Sequence, residues 1–142
     1  MNRHMIALSA GVAAAGLFGS GMPGQAADPR NRPALVEVVS GSPVKRITLT
    51  ERAAQRLDIG IAAVASGGQG AIVVPYAAII YDKAGATWVY TTSQDRVFMR
   101  HAVRIARISG EDAVLAAGPV AGTRIVIVGV PELYGAELGI GQ

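Results

Sequence analysis

Short apolar runs separated by turn residues dominate the chain from residue 71 onward. They are rich in Ile, Val and Ala, and they alternate with Asp, Gly, Ser and Pro. The runs occupy residues 72–74, 77–81, 87–92, 97–108, 113–116 and 124–128. Short strands that recur about every ten residues are typical of antiparallel hairpins rather than of a parallel sheet with crossover helices. We therefore predict a mainly β fold, a small β-roll or barrel of antiparallel hairpins.

The part of the chain before residue 71 predicts two strands and one short helix. Residues 36–39 and 44–49 have the β-branched composition of strands and are separated by turn residues. The spacing changes at Thr50, which is a favourable N-cap, and Glu51 suits the positive end of a helix dipole. We therefore place one short helix near residues 50–57.

The last part of the chain predicts a second, shorter helical segment over residues 131–138. Pro131 is favourable in the first turn of a helix, where no backbone donor is needed, and Gly139 is a typical stop. We expect one or two helical turns here.

The longest predicted strand, residues 97–108, has two different faces. Side chains alternate across a strand, so one face carries mostly apolar residues and the other carries Arg100 and Arg104. The mostly apolar face consists of Val97, Met99, His101, Val103 and Ile105. We expect that face to be the core face.

The N-terminal segment has the features of an export signal. A short polar start precedes an uncharged stretch rich in Ala and Gly, which is followed by the small residues of a cleavage site at Ala26. We predict a signal peptide over residues 1–26, a flexible leader over 27–34, one domain over 35–138 and a tail over 139–142. The expected location is the periplasm.

The composition excludes several function classes. The sequence contains no Cys, so neither disulfides nor thiolate chemistry is available. Beyond the predicted signal peptide, His101 is the one histidine, and no phosphate-binding glycine motif occurs. The formal net charge is only +3, without the clustered basic face of nucleic-acid-binding proteins. We predict no catalytic residues, no cofactor and no nucleic-acid partner.

Four segments in the C-terminal half resemble one known domain. They are Val74-Pro75-Tyr76-Ala77-Ala78-Ile79, Thr87-Trp88-Val89-Tyr90, Arg100-His101-Ala102-Val103-Arg104-Ile105 and the stretch from Gly118 to Gly129. In order and spacing they are similar to the membrane-proximal domain of the HlyD-like periplasmic adaptor proteins, also called membrane fusion proteins, of RND-type efflux pumps. Residues 44–64 resemble the strand and short helix with which that domain opens.

The resemblance implies a domain built from two halves, residues 44–66 and 71–138, joined at residues 67–70. In the family, barrel, lipoyl and helical-hairpin domains lie between the halves, and that insertion is missing here. Closing it with a short loop costs little if the flanking strand ends lie close together. We expect Ile47 of the first half and Ile125 of the second to belong to one unit.

The resemblance further implies an adaptor-like module that docks on the periplasmic domain of an RND transporter or on a full-length adaptor, close to the membrane surface. The chain has no long heptad pattern, so it is not expected to bridge two membranes. A decayed adaptor fragment without activity is the alternative within the same family.

A soft-metal site is the alternative outside that family. Met99 and His101 are two residues apart on one strand, so their side chains project to the same side, and thioether and imidazole ligands suit Cu(I) or Ag(I). If the turn between Thr92 and Val97 pairs these two residues, Tyr90 lies opposite Met99 and Trp88 lies opposite His101. The two aromatic rings would then cover both ligands. A slip of one residue would move both aromatic rings to the other face. We favour the alternative without a metal, in which Met99 packs in the core and His101 is a partly exposed strand residue.

Three arginines on the same strand are candidate partner contacts. Arg100 and Arg104 share a face, and Arg107 follows after a bend. They suit an acidic transporter surface or anionic lipid headgroups, whereas charges of this kind usually only solvate a sheet.

Overall fold

The computed structural model describes residues 32–140, and within them the chain is mainly β. Its strands are β1 Ala34–Val38, β2 Lys45–Leu49, β3 Gly60–Ala63, β4 Ala65–Ser66, β5 Ile72–Pro75, β6 Ile80–Tyr81, β7 Thr87–Gln94, β8 Val97–Ser109, β9 Asp112–Ala117 and β10 Arg124–Val128. The helices are α1 Glu51–Leu57 and α2 Val130–Glu137. The strands pair antiparallel throughout. The predicted fold class is confirmed.

The sheet nearly closes into a barrel. Its strand order is β3-β10-β7-β8-β9-β5-β4, and the two end strands are separated in the chain only by Val64. The Val64 amide donates to the carbonyl of Thr123 (2.8 Å), and the Gly122 amide donates to the carbonyl of Val64 (2.9 Å). Residues 60–66 therefore supply both end strands, β3 and β4, as one nearly continuous segment, and this segment completes the barrel wall.

Two apolar clusters pack on opposite faces of the barrel wall. The inner cluster contains Val64, Val74, Ala78, Val89, Val103, Ala113, Leu115 and Ile125. The outer cluster lies between the wall, the β1–β2 hairpin and both helices, and contains Ala34, Ile47, Leu49, Ala53, Ile80, Tyr90, Phe98, Val126, Val130 and Leu133. Strands β7 and β10 supply alternate residues to the two clusters, so both of their faces are buried.

The two predicted halves meet in one hydrogen-bonded network. Ile47 belongs to the outer cluster and Ile125 to the inner one, so these two residues do not share a core. The neighbouring residue Val126, however, packs in the outer cluster with Ile47. Strand β3 of the first half pairs with β10 of the second, with Arg124 opposite Ala63.

Helix α1 begins and ends where the sequence predicts. The hydroxyl of Thr50 accepts from the amide of Ala53 (3.2 Å), which satisfies one of the free donors of the first turn. Asp58 closes the helix in the left-handed conformation (φ 50°), and Ala53 faces the outer cluster.

Helix α2 confirms the predicted second helical segment. Pro131 lies in its first turn, and Gly129 and Gly139, both with positive φ, flank it. A Cβ at Gly129 would lie 2.6 Å from the Ile59 Cδ1 and 3.2 Å from the carbonyl oxygen of Leu57, so the close approach of the chain before β3 also requires glycine.

Residues 67–70 form the loop of a tight hairpin. Strands β4 and β5 are direct neighbours, with Ser66 opposite Ile72. The Gly67 amide donates to the carbonyl of Ala71 (2.7 Å), and Gln69 and Gly70 have positive φ. The strand ends that flank the loop are therefore close together.

Two boundaries differ from the sequence-based expectation. Strand β1 begins at Ala34, which is buried, so the predicted leader over residues 27–34 extends one residue too far. Residues 76–78 form a 3₁₀ turn rather than the extended start of the predicted 77–81 strand, because Pro75 ends the ladder and the Ile79 amide closes back onto the carbonyl of Tyr76.

The predicted signal peptide, residues 27–31 of the leader and the last two residues of the tail lie outside the described residues. Among residues 32–140, neither helix has the length and apolar character needed to cross a bilayer.

Candidate functional site

A bulge near the β7–β8 turn decides which side chains of β8 can act together. Gln94 pairs with Val97, but the next pair is Thr91 with Met99, so β7 contains one more residue than β8 at this point. The hydroxyl of Thr92 donates to the carbonyl of Gln94 (2.7 Å) inside the bulge. Of the two registers that the sequence leaves open, the one shifted by one residue from the Thr92–Val97 pairing is present.

The shifted register places the aromatic residues of β7 on the face of Arg100. Tyr90 lies opposite Arg100, and Trp88 lies opposite Ala102. The predicted aromatic cover over Met99 and His101 is therefore absent, and Val89 and Thr91 lie opposite those residues instead.

The prediction that the odd-numbered face of β8 is the core face is wrong in part. Phe98, on the even-numbered face, is buried in the outer cluster, whereas Val103, on the odd-numbered face, is buried in the inner cluster. Between them, His101 is exposed. The strand is long enough to pass from one cluster to the other, and its buried face changes where it does so.

Arg100 forms a buried ion pair with the last turn of α2. Its Nε lies 2.9 Å from Glu137 Oε1, and the two side chains are 15% and 1% exposed. The Nε–H is not aligned for a hydrogen bond, so the contact is one of charge. On the other side of the carboxylate, the Tyr90 hydroxyl donates to Glu137 Oε2 (2.6 Å). Burial, followed by this hydrogen bond, raises the pKa of Tyr90 far above its usual range, so Tyr90 remains a neutral donor.

Aromatic rings enclose the guanidinium of Arg100. Its Cζ lies 4.7 Å from the centre of the Trp88 ring and 5.8 Å from that of Tyr134. The Trp88 indole donates to Asp82 Oδ2 (2.9 Å), and this bond is the main reason why the pKa of Asp82 is lowered. The whole cluster fixes α2 on the barrel wall.

Arg100, a candidate partner contact from the sequence, is largely buried and pairs with Glu137 within the protein. Its Nε is held in the ion pair with Glu137, and withdrawing Arg100 from that pair would leave a buried carboxylate without a counter-charge. Glu137 was not identified from the sequence, although a signal exists. It lies at the i+7 position from Val130 and the i+4 position from Leu133, so it shares their apolar helix face.

Arg104 and Arg107 remain exposed on β8, opposite Ala117 and Val114 of β9. Two irregularities in the β8–β9 pairing flank Ile105, which packs against the inner cluster while both arginines stay in solvent. These two residues are the part of the predicted basic edge that is available to a partner.

Met99 and His101 lie on one face of β8, as predicted, but in different surroundings. Met99 is partly buried and lines a polar groove with Glu37, Arg46, Thr48, Thr91, Ser93 and Gln94. His101 lies outside this lining and is exposed. No set of three or more His, Cys, Asp or Glu side chains in residues 32–140 is arranged to hold a metal ion.

Comparisons with protein-family models, curated proteins and solved structures give no match for this chain.

Proposed function

We propose that this chain is a periplasmic, non-enzymatic adaptor-like module of an RND-type efflux system. It docks on the periplasmic domain of the transporter or on a full-length adaptor. The proposal starts from the resemblance of residues 44–64 and 71–138 to the two halves of an adaptor membrane-proximal domain.

The observation that supports this proposal best is the β4–β5 hairpin at residues 67–70. Ser66 and Ile72 are cross-strand neighbours, so the chain leaves and re-enters the barrel at one place. A long insertion at such a point leaves the barrel pairing intact, and a short loop closes the same gap, since loop entropy varies slowly with length. A domain assembled from distant halves in the family would thus become continuous here.

Arg104 and Arg107 are the docking residues in this proposal. Both are exposed, and neither takes part in the Arg100 cluster. Exposed cations on a rigid strand increase the rate of encounter with an acidic surface and make binding sensitive to salt.

A capture experiment from a bacterial envelope extract tests the proposal. Tagged protein should recover peptides of an RND transporter or a full-length adaptor, and recovery should fall as salt increases. The variant Arg104→Glu/Arg107→Glu should lose most of that recovery, whereas Arg52→Glu/Lys83→Glu, an equal charge change at exposed positions elsewhere, should not. Recovery of neither class of protein would instead favour the decayed fragment.

The soft-metal alternative has weaker support in this fold, because the aromatic cover is absent and Met99 and His101, although on one face of β8, lie in different surroundings. We expect calorimetric titration with Cu(I) under reducing conditions to show no binding tighter than about 1 μM. Tighter binding that is lost in Met99→Leu/His101→Asn would restore this alternative.

A further inference from the structure

Strand β1 has a free edge, because it pairs with β2 on one side and with no other described strand on the other. The hydrogen bonds around it show which residues point outward. The Thr50 amide donates to the carbonyl of Pro33 across the β1–β2 pair, whereas the Leu49 amide donates away from β1, to the carbonyl of Arg96. The backbone N–H and C=O groups of successive residues point to opposite sides of a strand, so those of Leu35 and Glu37 face β2. The backbone groups of Ala34, Val36 and Val38 face the free edge.

The free edge is self-complementary. An antiparallel copy of β1 related by a two-fold axis at Val36 would pair Ala34 with Val38 and Val36 with itself. Each of these residues has its N–H and C=O directed outward, so every pair on this register can exchange backbone hydrogen bonds. A shift of one residue would oppose outward and inward groups and lose this match.

The side chains at the edge fit the same register. Val38 lies on the face of β1 that carries the buried residue Ala34, yet it is 79% exposed because no described residue covers its end of the strand. In the paired arrangement, Val38 lies beside Ala34 of the other copy. That position adjoins the open groove that Ala34, Val38 and Leu138 of the other copy line together, and Leu138 is 47% exposed there. Each copy would therefore cover an apolar residue that it cannot cover itself.

The usual protection of edge strands is missing from β1. Exposed edges normally carry Lys, Pro or a bulge, which prevent pairing with other chains. Strand β1 has the sequence Ala-Leu-Val-Glu-Val with a regular register, and its one charge, Glu37, lies opposite Arg46 on β2. On the two-fold register Glu37 would face Leu35 of the other copy, so like charges are not opposed.

We propose that β1 is a self-association surface through which two copies of this chain form a two-fold dimer by antiparallel β1–β1 pairing. The contact area of one short strand is small, so the dimer is a weak one that forms at high protein concentration. This inference does not depend on the proposed efflux function.

Light scattering during size-exclusion chromatography, over about 1 μM to about 1 mM protein, tests the proposal. The mass should rise toward twice that of the protomer. Val36→Pro removes an outward N–H that β2 does not use, and Val38→Lys adds a charge at the edge, so both should remain at protomer mass. Val120→Lys, at a position 74% exposed in the β9–β10 connection, should dimerise normally.

Amide hydrogen exchange of the unmodified protein gives an independent measurement. At high concentration the amides of Ala34, Val36 and Val38 should become at least about tenfold slower to exchange, whereas Leu35 and Glu37 should be protected at every concentration. A protomer mass throughout the range would overturn the proposal. It would also be overturned by a dimer that persists in both edge variants, or that leaves the three outward amides unprotected.

Discussion

The buried Arg100–Glu137 pair should be costly to break but dispensable as a pair. At 2.9 Å and an effective dielectric constant of about 20, the direct attraction is about 6 kcal/mol. Desolvation costs several kcal/mol for each ion, so the net contribution is small. Arg100→Met removes the compensation but leaves the carboxylate of Glu137, which is 1% exposed, with Tyr90 as its partner. We expect Arg100→Met to lower the free energy of unfolding by about 3–5 kcal/mol.

The paired replacement Arg100→Met/Glu137→Leu should lose much less, about 1–2 kcal/mol, mainly from the unpaired hydroxyl of Tyr90. Urea unfolding followed by far-ultraviolet circular dichroism measures all the variants. Fluorescence of Trp88, the sole tryptophan, would report the same transition, but its ring contacts Arg100 and its baseline will change.

Additive effects of the two substitutions would contradict a coupled pair. The two charges are not coupled in the folded protein if Arg100→Met costs less than about 1 kcal/mol. The same conclusion follows if the double variant loses as much stability as Arg100→Met and Glu137→Leu, measured singly, lose together. Glu137→Gln separates charge from hydrogen bonding, because its amide oxygen still accepts from Tyr90. We expect a loss of about 2–3 kcal/mol for this variant.

Three further predictions follow from the described geometry. The pKa of Tyr90 is raised in the folded protein, so neutral Tyr90 contributes stability that is fully present below about pH 10 and is lost as the pH rises further. The unmodified protein should therefore lose more stability between about pH 9 and 11 than Tyr90→Phe in chemical denaturation. Gly129→Ala should cost at least about 2 kcal/mol because of its positive φ and its contact with Ile59, whereas Gly135→Ala, in open space on α2, should stabilise slightly; thermal melts compare them, and equal effects would contradict the close approach. Inserting about ten Gly and Ser residues at Gly68 should lower the free energy of unfolding by under about 1.5 kcal/mol in urea titrations, and failure to fold would remove the main support for a tolerant insertion point.

The sequence predicts those elements of the fold that depend on local interactions. Thr50 marks the start of α1 because a hydroxyl at that position caps the first turn whatever the rest of the chain does. Gly139 likewise marks the end of α2 through its positive φ. The hairpin spacing predicts antiparallel pairing because turns bring neighbouring strands together.

The arrangement of side chains on β8 could not be predicted in the same way. One additional residue in the Thr91–Gln94 bulge reverses the faces of Trp88 and Tyr90 relative to β8, and a bulge has no strong local signal. The burial of Arg100 depends on α2, which arrives from a distant part of the sequence and carries Glu137. The sequence alone therefore indicates a surface charge at Arg100, because its partner Glu137 is distant in the sequence.

The closure of the barrel at Val64 has a consequence for how the protein folds. Strand β3 pairs with β10, the last strand in the described chain, so the strand pairing between the most distant segments of the wall is the one that completes it. Chains dominated by such contacts fold slowly, since chain entropy is lost before the contacts reward it. Until the ring is complete, β5 and β10 each offer an open ladder to other molecules, and this interval is when aggregation competes most strongly with folding.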